Sequence, residues 1–435
     1  MRTRLWWVVL SGAAVGCGSA QEAESAGANR GALEAASSTP DEGSLDSASS
    51  KDTPAATRSV GDVCNDGPWS PPSDIFEKVS GGFLAKLDAT SCSGRYVSFT
   101  SADPGIVPDD TNGTYDVFVR DRATQAITRV SVGTGGVEGN GPSDGWGHLS
   151  MSSDGRFVAF ATRATNLDHG PAQGSRSYVR DLKTGVTVRM LPPHGKPLYE
   201  ESRTPAISPD GRFVFFFQYT PLSRDKQTYI YDQSTGETVL ASTQYEISGA
   251  SHDGQLVTLQ QGSHVYLLDR PAGKSIVLDR NPAGAPVEYF GRNAVGASDP
   301  NVSGDGRVVA FTSSSQEILP VPRPGDTNLF IFRRDTGSAQ IIRVAEKQVF
   351  ASSLRLSNDG RFVSFTSLVS GLLPSVQVYD LEKDRSWQVP IPAGSGPGSE
   401  ILSNHISADG KLLAFEVSRS STTTLGDIYV TAVPQ

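Results

Sequence analysis

From residue 75 to the C-terminus, short apolar runs alternate with polar, glycine-rich stretches. "FVAF" (157–160), "FVFF" (213–216), "VVAF" (308–311), "FVSF" (362–365) and "LLAF" (412–415) are typical. These runs are too short for helices, rich in β-branched and aromatic residues, and unbroken. They predict strands covered on both faces, since a strand with one wet face would alternate apolar and polar positions. A glycine stands just ahead of each run, and seven such glycines recur: Gly94, Gly155, Gly211, Gly254, Gly306, Gly360 and Gly410. A serine lies three positions before every one of them, and an aspartate immediately before six, with Ser93 in that place in the first copy. Asp-Gly favours a turn with positive φ and predicts a tight hairpin.

A second strand signal follows each run after a variable loop, as in "DVFVRD" (116–121), "SYVRD" (177–181) and "VQVYD" (376–380). In the first six copies a short turn such as "LKTG" leads to a third run. With the short strand that ends in the serine motif, each unit holds four antiparallel strands. A small sheet that needs neighbours on both faces, repeated every 43–61 residues, predicts a β-propeller. The last copy stops at "DIYVTAVPQ", whereas "IFEKVSGG" (75–82) reads like an outer strand placed before the first copy. The fold expected is all-β: a seven-bladed β-propeller over residues 61–435, its last blade closed by an N-terminal strand that leaves no open seam.

The repeat S-x-D-G-R-h-V-x-F, followed by D-h-h-V-x-D, resembles the TolB-type (WD40-like) propeller repeat over nearly all of residues 75–435. TolB itself has six blades and a separate α/β domain ahead of them. The resemblance therefore concerns the repeat, and implies no part in TolB's envelope transport complex.

The N-terminus reads as a targeting segment. Arg2 and Arg4 precede the apolar stretch Leu5–Val15, which is well short of the roughly 20 residues that span a bilayer. It ends in "AVGC" (14–17), which resembles the lipobox of bacterial lipoproteins. That resemblance implies a signal peptide over 1–16, lipidation of Cys17 and anchoring in the bacterial cell envelope by lipid alone. Gly18 stands where an inner-membrane retention signal would place Asp, so the outer membrane, periplasmic or surface face, is expected. Ordinary secretion with cleavage nearby is the alternative. Residues 17–60, rich in Ala, Ser and Glu with few large apolar side chains, read as a disordered tether. Cys64 and Cys92 are the two remaining cysteines and, in an exported protein, are expected to pair as a disulfide.

The net charge of −9, or −11 without residues 1–16, argues against nucleic acid or anionic lipid as a partner. The arginines after the motif glycines (Arg95, Arg156, Arg212, Arg307, Arg361) are expected to cover blade edges with their stems and keep their charges wet.

Successive connections in a propeller alternate between its faces, so the long loops gather opposite the Asp-Gly turns. Binding sites sit on loops held by rigid scaffolds. The residues singled out there and at the channel mouth are Trp146, His148, Tyr199, Arg203, Tyr289, Arg292, Phe350, Arg355 and His405. The alternative for Trp146, Tyr289 and Phe350 is that they plug long loops onto the scaffold; for Arg355, that it pairs with a nearby acid. "DDTNGTYD" (109–116) clusters the hard oxygen ligands Asp109, Asp110, Asn112 and Asp116, a candidate calcium site, or else a turn whose acids stay solvated. No other cofactor is suggested. "GPSDG" (141–145) lies in a glycine-rich loop, not on the strand-to-helix turn that a nucleophile elbow needs.

The expectation is a monomeric, non-catalytic scaffold that binds an envelope protein or a glycan through its long-loop face. The alternative is a propeller enzyme acting on glycans, a glycosidase or lyase, with Glu200, Glu201, Glu288 and Asp299 as candidate carboxylates.

Overall fold

The computed structural model describes residues 64–67, 69, 76–80, 84–143, 150–168, 174–193, 201–220, 225–243, 245–289, 296–319, 327–342, 350–368, 375–396, 398–419 and 425–435. The chain divides into two units, Met1–Ala55 and Ala56–Gln435, and every described residue belongs to the second. The leader, Cys17 and the tether thus lie outside the described residues.

The second unit is a seven-bladed β-propeller of four-stranded antiparallel sheets. In blade 1 the strands run from the inside out as Lys86–Thr90, Tyr96–Ser101, Asp116–Asp121 and Ile127–Arg129. The second strands carry the unbroken apolar runs and are buried nearly throughout, as in Val308–Ser313 and Leu412–Ser418. Outer strands such as Val186–Arg189 and Lys274–Val277 are largely exposed. The aromatic that ends a run stacks on an aromatic of the third strand: Phe99 on Phe118, Phe160 on Tyr178, Phe216 on Tyr229, Phe311 on Phe330 and Phe415 on Tyr429, at 5.4–5.9 Å. Such pairs add about 0.5–1.5 kcal/mol each beyond the area they bury.

Blade 7 is completed from the front of the unit. Glu77 pairs with Val430 and Lys78 with Tyr429, antiparallel, and Val79 N donates to Ile428 O at 2.7 Å. The closing strand is shorter than the expected segment, and Ile75 lies outside the described residues.

The serine motif is a hydrogen-bonded knot. In blades 2 to 7 the serine hydroxyl donates to the motif aspartate at 2.5–2.8 Å. It also accepts from the backbone N–H five residues on, for example Phe157 N at 2.9 Å. The aspartate accepts in turn from the residue after the glycine, as from Arg156 N at 3.0 Å. The serine hydroxyl and the aspartate carboxylate of each turn are thereby paired.

Blade 1 has Ser93 where the others have aspartate, and Asp66 takes over the role from outside the repeat. Its Oδ2 accepts from the hydroxyl of Ser91 at 2.7 Å and from N and Oγ of Ser93 at 3.0 and 2.6 Å. A disulfide between Cys64 and Cys92 holds Asp66 there.

The knots are linked around the ring by a backbone belt with one hydrogen bond at each of seven junctions. Cys92 N donates to Ser153 O, Ser153 N to Pro209 O, Asp210 N to His252 O and His252 N to Gly304 O. Asp305 N then donates to Asn358 O, Asn358 N to Ala408 O, and Asp409 N back to Cys92 O, all at 2.7–3.1 Å.

Four of the five motif arginines depart from expectation, whereas Arg307 stays 65% exposed as expected. Arg95, Arg156, Arg212 and Arg361 each form a two-point pair with the aspartate that ends the third strand: Asp121, Asp181, Asp232 and Asp380. Each also lies over the ring of the next residue, Tyr96, Phe157, Phe213 or Phe362, at 4.6–4.9 Å. A planar guanidinium matches a carboxylate fork and an aromatic face at once. Their role is still structural, but the charges are paired.

Candidate functional site

The inner strands surround a channel holding a cavity of about 170 Å³, lined by all seven blades, with the belt at one end. Asp88, Thr90, Asn301, Arg355, Asn358 and His405 supply much of its polarity. The register shifts that bulge the inner strands place some of these side chains. One shift lies between Leu87 and Ala89, around Asp88; others lie between Ser298 and Asn301 and between Ser352 and Arg355. Bulges re-aim side chains and gather beside functional sites. In the last two, Asp299 and Ser353 take left-handed backbone, with φ of 52° and 54°. For residues other than glycine this conformation costs about 1–3 kcal/mol and is held by its surroundings.

Arg355 lines the cavity, and its Nη1 donates to Leu354 O at 2.7 Å. Burial lowers its pKa and the charge of Asp299 opposes that shift; burial raises Asp299, and Arg355 pulls it back. His405 Nδ1 and Thr90 Oγ1 are 2.9 Å apart, which stitches blade 7 to blade 1 within the channel. Of the residues singled out from sequence, Arg355 and His405 thus line one cavity.

Tyr289 does not join them. Its hydroxyl donates to Asp279 at 3.1 Å and lies 2.9 Å from Ser313 Oγ, which fastens a long loop onto the blades. Asp279 also accepts from Val265 N and meets His264 Nδ1 at 2.8 Å. Arg203 and Phe350 fall on inner strands, Glu201–Ile207 and Phe350–Leu356, but their side chains lie outside the described residues. Trp146, His148, Tyr199, Arg292 and Glu200 also lie outside them, as does the side chain of Glu201.

Sequence reasoning passed over two acids at the seam of blades 1 and 7. Asp88 is buried and accepts from Thr100 Oγ1 at 2.7 Å. Glu416 is buried and accepts from Leu87 N at 3.1 Å and Ser403 Oγ at 3.0 Å. Burial pushes both up to about 7, partly offset by the charge of Lys86 and by these hydrogen bonds. Glutamate inside the apolar run "LLAFEV" was the signal that marked one of them.

These shifts predict a pH profile. Between the ordinary carboxylate pKa and about 7, folded Asp88 and Glu416 hold protons that the unfolded chain has released, so stability falls as pH rises through that window. Asp181 shows the opposite sign: Arg156 holds it down at about 2, so its contribution is lost as pH falls from about 4 toward 2. Melting temperature should peak near pH 4–5, and Asp88→Asn should flatten the alkaline limb. Thermal scans across pH check this; an unchanged alkaline limb in the variant would count against the Asp88 assignment.

The acidic loop has a basic centre. Oxygens of Asp110, Asp116 and Glu138 lie within 4.8 Å of one another, and Arg129 reaches into the group. It pairs closely with Glu138, at 3.1 Å with Asp109, and stands 3.7 and 3.9 Å from Asp116 and Asp110. Asn112 donates to Asp116 at 2.7 Å. Glu138, from the next long loop, was absent from the expected ligand set, whereas the Asp109 side chain is largely exposed. A divalent ion would have to displace the guanidinium. Millimolar calcium is expected to leave the melting temperature unchanged; a saturable rise would show that a cation wins that competition.

No protein-family model and no curated protein matches this chain. Among solved structures, an oligogalacturonate lyase from Vibrio parahaemolyticus superposes with a TM-score of 0.55 at 11% identity, over 83% of this chain and 94% of that one. An oligogalacturonate lyase in complex with manganese gives 0.53 at 13% identity, over 84% and 92%. TolB from Acinetobacter baumannii gives 0.41 at 15%, over 81% and 79%. At these identities the likeness to the two lyases is one of fold: this chain is a β-propeller.

Proposed function

We propose that the chain is a lipid-anchored binding protein of the bacterial envelope. In this reading residues 1–16 are a signal peptide, Cys17 carries the lipid, 17–60 are a tether and 61–435 form a monomeric propeller. The propeller presents its channel and long-loop face to an envelope protein or a glycan. The observation that supports this reading best is the pair of bulged, left-handed inner-strand residues, Asp299 and Ser353, beside Arg355 in the channel. Backbone strain of this kind clusters at ligand-binding sites, although the Ser353 carbonyl also accepts from Asn404 of blade 7 at 3.1 Å. The test is capture from envelope extracts by the wild type and by Arg355→Gln. A partner retained by the first and lost by the second supports the reading; identical capture by both removes the channel from it.

A glycan-active enzyme is the second reading, favoured by Asp88, Arg355 and His405 lining one cavity. It borrows from the oligogalacturonate lyases only a first substrate to try. Lyase action would create an unsaturated sugar from oligogalacturonate, detectable by ultraviolet absorbance, with manganese added in one arm. Turnover abolished by His405→Ala would favour the enzyme; no product in either arm favours the binding protein.

A further inference from the structure

Blade 2 holds a second feature, remote from the channel residues discussed above. Its third strand, Arg176–Asp181, opens with an arginine only 1% exposed. Arg176 and Tyr178 are two residues apart on that strand and so share one face. That face packs against blade 1, where Tyr178 joins Val117, Val119 and Val130 in one cluster. Nη1 of Arg176 donates to Ala164 O at 3.3 Å and lies 3.8 Å from Asp168 Oδ1. Among the described residues its Nε and Nη2 have no well-aligned hydrogen-bond partner, and the hydroxyl of Tyr178 faces only the guanidinium itself.

An open guanidinium edge buried this deeply is costly, because a guanidinium withdrawn from water needs compensation at every edge. Asp168 does not supply it. That carboxylate approaches the Nη1 corner and sits closer, at 3.2 Å, to Nη1 of Arg189. The edge left open is Nε–Nη2, the fork that takes two oxygens of a carboxylate or phosphate side-on. Burial pushes Tyr178 up to about 12, so its hydroxyl remains a donor at neutral pH. Asp168, about a quarter exposed, is the most solvent-accessible of these side chains.

We propose that Arg176 and Tyr178 form an oxyanion site on the blade 2 face that meets blade 1. It takes a carboxylate or phosphate group across the Nε–Nη2 edge, with a third hydrogen bond from the tyrosine hydroxyl. The site does not depend on the reading of the channel.

Calorimetric titration of the full chain with sodium phosphate, and separately with sodium acetate, against chloride at matched ionic strength, tests the proposal. Saturable binding of one anion per chain is expected; the anion that binds tighter says whether the natural ligand is phosphorylated or carboxylated. Arg176→Lys keeps the charge but loses the fork, and should weaken binding about ten- to hundredfold. Tyr178→Phe keeps the ring stacked 5.7 Å from Phe160 and should weaken it about tenfold. No saturable heat with either anion, or undiminished affinity in Arg176→Lys, overturns the site. Should Arg176→Lys fail to fold, Tyr178→Phe decides: weaker binding supports the site and equal affinity overturns it.

Discussion

Replacing Cys64 with serine should destabilise the propeller by about 3–4 kcal/mol, the entropic worth of a link closing a loop of this size. The disulfide spans 28 residues, and the effect is not confined to loop entropy. Cys92 is a node of the belt, donating to blade 2 and accepting from blade 7. The linked segment carries Asp66, which satisfies the hydroxyls of Ser91 and Ser93, and whose carbonyl accepts from Arg95 Nη1 at 2.9 Å. Trp69 continues the clamp, lying under Arg122 at 4.5 Å. Asp66→Ala, with the disulfide intact, should therefore lose part of the same stability, about 1–3 kcal/mol for stranding buried hydroxyls. Denaturant unfolding of the two variants, with and without reductant, separates the contributions. If Asp66→Ala matches the wild type, Asp66 does not stand in for the missing motif aspartate.

Gly155→Ala should cost about 2–5 kcal/mol, well above an ordinary turn substitution. Two causes add. Gly155 has φ of 72°, where a Cβ is disfavoured by about 1–2 kcal/mol. A Cβ there would also stand 2.2 Å from Cδ2 of Tyr96 in the preceding blade, so the ring must move. Such overpacking typically costs about 1–3 kcal/mol. The contact recurs around the ring: Phe157 meets Gly211, Phe213 meets Gly254, Val308 meets Gly360 and Phe362 meets Gly410. Gly236 is the control, with φ of 75° and nothing within 4 Å of an added Cβ. Gly236→Ala should lose the backbone share alone, and equal losses at the two positions would exclude the inter-blade contact as a cause.

These two predictions mark where the sequence was informative and where it fell silent. Seven serine–glycine motifs, the unbroken runs and the early stop at "DIYVTAVPQ" were enough to see seven blades and a borrowed closing strand. Each rests on local chemistry: a turn that needs positive φ, a strand that needs two covered faces. Asp66 was hidden because it lies 25 residues from Ser91 in a segment that matches no repeat, and only Ser93 in the aspartate's place hinted at a substitute. The arginine–aspartate pairs were legible in principle. Blades 1, 2, 3 and 6 carry both partners, whereas Lys411 of blade 7 has Thr431 and Ala432 where a strand-ending aspartate would stand. Arg355 and His405 could be placed at the channel because they flank the motif of their own blades. Asp299 reads as a loop carboxylate, but its electrostatic influence on Arg355 depends on bulges that no local pattern announces. Tyr289 turned out to be committed to Asp279 and Ser313, an outcome set by contacts between blades and not by its own neighbours in sequence.

Everything about the channel and its walls requires that the ring be shut by the strand Glu77–Lys78. The direct measurement is a cross-link: Glu77→Cys with Val430→Cys, oxidised in the folded protein and mapped by proteolysis and mass spectrometry. The two positions are register partners in the structure, so a single new disulfide joining 77 to 430, with the Cys64–Cys92 link intact, is the predicted result. Failure of these cysteines to pair in protein that is otherwise folded, or linkage of position 77 to another copy of the chain, would contradict the closed ring.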